Sequence, residues 1–163
     1  MTMTHYMELL ATNQPWNLLL FMAVPVILAE TVAVSELYIL FTRNMQGTIA
    51  KINRWAGTAG GVYFFGVFIY LIRNAVIPLT QTGSWRGGAD VIAVGAYLLG
   101  VIPLGAIALL DLGILAKGKS AEEKLKLHAL FVGIFLVTAH IAMIFGMINP
   151  EVFGYTQAHE MSM

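Results

Sequence analysis

The chain has 163 residues, 58% hydrophobic and only 11% charged, and its nine lysines and arginines balance nine acids. A soluble domain carries about twice that charged fraction, and zero net charge offers no electrostatic footprint for nucleic acid. With no cysteine in the sequence, thiolate ligands, disulfides and thiol redox chemistry are excluded.

The opening stretch MTMTHYMELLATNQPW lacks the basic start of a signal peptide, so the first apolar run reads as a retained helix. Met3, His5 and Met7 lie in this tail, and His159 and Met161 repeat the combination at the other end. Thioether and imidazole together suit a soft cation, Cu(I) first. Both tails are therefore candidate sites of peripheral metal capture.

A bilayer-spanning helix needs about 20 apolar residues, and four such runs are present, at about 16–42, 55–78, 90–116 and 122–149. Little chain is left for a soluble domain. Pro25 and Pro103 fall inside the first and third spans, where each removes a backbone hydrogen bond and invites a kink. Gly57 and Gly61 form a GxxxG that lets a neighbouring backbone approach closely, read as packing within one bundle. Ser120 and Glu123 form a capping box that starts the last helix near Ala121. The 80–90 connection, TQTGSWRGGAD, reads as turn-forming chain without chemistry.

Basic residues set the orientation. Arg43, Lys51 and Arg54 lie between spans one and two, and Lys117, Lys119, Lys124 and Lys126 between three and four. The positive-inside rule then puts both termini and the middle connection on the extracytoplasmic side. The expectation is an all-α integral membrane four-helix bundle, a single domain over 1–163, multi-pass in the inner (cytoplasmic) membrane of a bacterium.

Ionisable side chains inside lipid cost about 3 kcal/mol or more and mark function by default. Counting about 1.5 Å of rise per residue from the nearest basic residue, Glu30 lies roughly 20 Å above Arg43 and His140 roughly 21 Å above Lys126. The two share a level. Met143 and Met147 continue the His140 face, within about 60° of it on a helical wheel, and Met22 offers a thioether from the first span. His140, Glu30, Met143, Met147 and Met22 are the candidate metal site. A second polar layer is expected lower, with Glu36, Asp111 and Tyr63, where two carboxylates would share a proton or a cation. His128, two residues from Lys126, reads as interfacial.

Three functions fit these residues. The first is binding and transport of a transition-metal ion, copper favoured, through the His/Glu/Met site. The second is a haem b protein for electron transfer or haem handling, since histidines inside four-helix bundles are common axial ligands. The third is a non-catalytic subunit or assembly factor, with polar residues fixing helix register. The expected partners are the lipid bilayer and a second copy of the chain or a larger membrane complex, with no nucleic acid. Loops this short leave little room for an independent enzyme, and no nucleotide loop, zinc-protease helix or nucleophile elbow occurs.

Overall fold

A computed structural model describes residues 3–155, and every regular element among them is helical. A short helix, α1 (His5–Ala11), comes first. Four helices long and apolar enough to cross a membrane follow: α2 (Trp16–Thr42), α3 (Thr48–Thr82), α4 (Gly87–Asp111) and α5 (Ala121–Met147). Large apolar side chains such as Phe41, Val34 and Val62 face outward, the surface a helix bundle presents to lipid. The chain is a multi-pass membrane protein. His159 and Met161 lie outside the described residues.

The helix ends follow local chemistry. Ser120 Oγ accepts from the Glu123 amide while Glu123 Oε2 accepts from the Ser120 amide at 2.9 Å, so α5 begins at Ala121 as its capping box demands. At Gly47 the chain is extended and α3 starts at Thr48, earlier than the expected 55. Lys51 and Arg54 therefore sit on a helix, where long aliphatic stems carry their charges out of lipid. At the other end, α4 stops at Asp111, not at 116, and the residues beyond it form turns.

Prolines set the irregularities. Pro25 has no amide to give to the Phe21 carbonyl, and the preceding residues Leu19–Ala23 form a π-helical turn. The freed acceptors find tyrosines instead: Tyr97 Oη donates to the Phe21 carbonyl at 2.6 Å and Tyr63 Oη to the Leu20 carbonyl at 2.8 Å. Pro78 follows a second π-helical turn, Ile72–Val76. Pro103 cannot bond the Leu99 carbonyl, and α4 breaks at Gly100.

The break at Gly100 divides the partners of α4. Its first half packs against α5, whereas its second half packs against α3 and, to a lesser extent, α5. Here Gly57 and Gly61 face α4, and a Cβ on Gly61 would lie 2.6 Å from the Leu104 carbonyl oxygen. The GxxxG is an internal seam, as its sequence suggests. On its other side α3 packs against α2, while α2 and α5 meet only sparsely. A cleft remains between them.

Candidate functional site

Two ends of the bundle differ in charge. The basic end carries the 43–47 turn and the 112–120 loop; the terminal end carries α1 and the turn before α4. Both described chain ends meet there, where Thr4 Oγ1 donates to the Gly146 carbonyl at 2.6 Å.

Toward the basic end, four helices contribute to one buried polar node. Glu36 comes from α2, Asn53 from α3, Asp111 from α4 and His128 from α5. Glu36 is 3% exposed and His128 6%. His128 stands between the carboxylates: Nδ1 lies 2.7 Å from Glu36 Oε2, and Nε2 lies 3.5 Å from Asp111 Oδ2. Apart from that close Nδ1–Oε2 approach, Nδ1 and the second Glu36 oxygen, Oε1, are both buried without a hydrogen-bond partner. Asn53 Nδ2 donates to Glu36 Oε2 at 3.1 Å, to Ser35 Oγ at 2.9 Å and to the Val32 carbonyl at 3.1 Å. A cavity of about 330 Å³ opens from the basic end onto Asp111, His128 and Asn53, with Arg54 and Lys124 in its wall.

This node contains the expected Glu36/Asp111 layer but not Tyr63, whose hydroxyl is committed to Leu20 in the other half of the membrane. His128 is the residue that joins the carboxylates. It is buried, not interfacial.

The second candidate is the cleft between α2 and α5, of about 140 Å³. Glu30 and Met22 line it from α2, His140 and Met143 from α5, with Tyr97 of α4 and Tyr6 of α1 on its walls. Four of the five expected metal-site residues thus share one space. The fifth, Met147, is not among the lining residues and is 67% exposed. His140 Nδ1 lies 2.6 Å from the Leu136 carbonyl. An Nδ1–H donating there leaves the Nε2 lone pair free to act as a ligand. Glu30 is exposed in the isolated chain and makes no hydrogen bond or ion pair among the described residues. Nor do the described residues hold a group of three or more His, Cys, Asp or Glu side chains placed to grip a metal. Any ion in the cleft would depend on the thioethers.

The third feature fastens α1 over the bundle. Asp90, 0% exposed, accepts from the His5 amide at 2.6 Å and the Arg86 amide at 3.2 Å, and its Oδ2 lies 2.6 Å from His5 Nδ1. Arg86 completes the set, reaching Glu8 Oε2 and the Met3 carbonyl, each at 2.6 Å. His5 and Met3 are thereby engaged in docking, and Met7 packs against the core. The connection that read as inert holds this latch.

Docking buries Tyr6 against Tyr97, ring centroids 5.3 Å apart, and burial pushes the Tyr6 phenol from 10.0 up to about 12. A raised folded value means that docking keeps its full strength below pH 10.0 and loses it as pH climbs toward about 12. Subtracting the ultraviolet ionisation curve of Tyr6→Phe from that of the wild type should isolate one phenol titrating near 12, not near 10.

These features define a polytopic four-helix membrane protein with a buried Glu–His–Asp node, an interhelical cleft and a helical latch. Residues 1–162 match the model of a family of unknown function, DUF6803, and the chain belongs to that family. No curated protein and no solved structure matches it.

Proposed function

We propose that the protein binds a transition-metal ion, copper before others, in the α2–α5 cleft and carries it across the membrane. One observation carries this reading: Glu30, Met22, His140 and Met143, from two neighbouring helices that meet only sparsely, line the same small cavity. Two thioethers, one imidazole and one carboxylate form a donor set weighted toward a soft ion. Sparse contact between α2 and α5 supports movement, because that seam opens at the least cost in packing. The positive-inside rule assigns the basic end to the cytoplasm and the cleft to the extracytoplasmic half.

A haem fits this cavity poorly. Cofactor sites occupy about 300–1,000 Å³, against about 140 Å³ here. The exposure of Glu30 favours a second reading, in which a helix of another subunit covers the cleft. A carboxylate turned to lipid costs about 3 kcal/mol, which such a cover would remove.

Elemental analysis of purified full-length protein loaded with Cu(I) and gel-filtered tests both. Stoichiometric copper is expected in the wild type, falling about tenfold or more in Glu30→Gln and in His140→Ala. Occupancy unchanged by both variants removes the cleft as the site. Metal-free wild type with a co-purifying membrane protein selects the subunit reading.

A further inference from the structure

The node at the basic end lies outside the metal cleft and has its own chemistry. Its three ionisable groups come from three helices, and His128 presents a different ring nitrogen to each carboxylate. Two carboxylates on opposite sides of one imidazole cannot chelate a single ion with it. They suit proton transfer, for which imidazole can take a proton on one nitrogen and release one from the other.

We infer that Glu36, His128 and Asp111 form a proton-loading site that exchanges protons with the cavity at the basic end. The two sides of the node differ in access. Asp111 and His128 line the cavity, whereas Glu36 does not. Glu36 Oε1 and His128 Nδ1 are the two atoms with no hydrogen-bond partner, and both residues are more than nine-tenths buried. Such atoms carry a cost of about 1–3 kcal/mol each, and a proton shared between Nδ1 and Glu36 Oε2, 2.7 Å apart, relieves that of Nδ1.

The transfer balances without electrons changing hands. A proton entering from the cavity binds Asp111, whose O–H passes it to Nε2. The Nδ1–H bond breaks as its proton moves to Glu36, and the imidazole is left as its other tautomer. The reverse sequence restores it. Every neighbouring helix contributes to the field: Glu36 from α2, Arg54 and the neutral Asn53 from α3, Asp111 from α4, and Lys124 beside His128 on α5. Above the node, buried Val32, Leu104, Ile107 and Val132 belong to the apolar core, and none of these four side chains can continue the relay. The proton stops at Glu36. A site loaded from one side and closed on the other is the arrangement an alternating carrier needs, not a channel.

Infrared spectra of the full chain in lipid nanodiscs, recorded over a pH series, test the node without any metal. A carboxyl C=O band that titrates in the wild type should vanish in Glu36→Gln, and its midpoint should move by a full unit or more in His128→Gln. A wild-type spectrum with no titrating carboxyl band overturns the inference, as does a band indifferent to both substitutions. Histidine labelled with ¹⁵N in the wild-type protein gives a reading free of mutational damage, and the inference fails if no ring changes tautomer or charge along with that band. A second arm rests on the metal reading. In proteoliposomes loaded with a pH dye, copper entry should drive proton counterflow, lost about tenfold in Glu36→Gln with copper occupancy retained. Copper movement in the wild type without counterflow sinks the coupling; no copper binding at all sinks the metal reading and leaves the infrared result to decide the node.

Discussion

Asp90→Ala is expected to undock α1 and expose the cleft beneath it. The carboxylate is fully buried, accepts from two backbone amides and pairs with His5. Truncating it strands both amides and the imidazole, a loss on the order of 3 kcal/mol by analogy with buried pairs deprived of one partner. A seven-residue helix has no independent stability to fall back on. Its main apolar anchor is Tyr6, which seats against the bare Gly146, where a Cβ would come within 2.7 Å of Tyr6 Cδ1. Freed from that seat, Tyr6 should ionise near 10 again, and chymotrypsin should cut within α1, after Tyr6 or Leu10, at rates the wild type resists. Because Tyr6 walls the cleft, copper exchange should also accelerate. Glu8→Ala is the contrast. Its partner Arg86 is partly exposed and Glu8 itself is 49% exposed, so its loss should cost less than about 1 kcal/mol and leave α1 in place. An Asp90→Ala protein as resistant to protease as the wild type would show that packing, not the buried carboxylate, holds the latch.

The latch also shows why the sequence revealed the spans more readily than the sites. Long apolar runs and the Ser120–Glu123 cap are local signals, so α2 and α5 lie where the residues put them. Asp90 and His5 are 85 positions apart, and nothing local announces their pairing. Arg86 did carry a hint, as a basic residue in a connection otherwise nearly free of charge. Its reason is the acid it meets, Glu8. His128 escaped for a different cause. Depth counted from basic residues assumes helix throughout, yet residues 112–116 form no helix, so Asp111 ends its span instead of sitting nearly two turns inside it, roughly 9 Å by helical rise. Asp111 and His128 are consequently level. Which face of α5 points inward decided the rest, and an apolar helix with residues greasy on all sides does not disclose its face.

Gly57→Ala carries that dependence of the node on packing to a measurable end. A Cβ at Gly57 would overlap Asp111 Oδ2 and come within 2.8 Å of Ile107 Cγ2. In a helix interior the substitution alone should stabilise by up to about 1 kcal/mol; Gly66→Ala, with nothing within 4 Å of its Cβ on the same helix, should show that gain or no change. At Gly57 the overlap must be relieved in one of two ways. Either α3 and α4 part, costing about 1–3 kcal/mol as overpacked cores do, or the Asp111 carboxyl swings aside at little cost. Both routes lengthen the 3.5 Å contact between Asp111 Oδ2 and His128 Nε2. Thermal melts separate the routes, and the infrared titration should be displaced in both. A Gly57→Ala protein with wild-type stability and a wild-type carboxyl titration would mean that Asp111 has no part in loading the node, leaving Glu36 and His128 to exchange protons with the cavity by themselves.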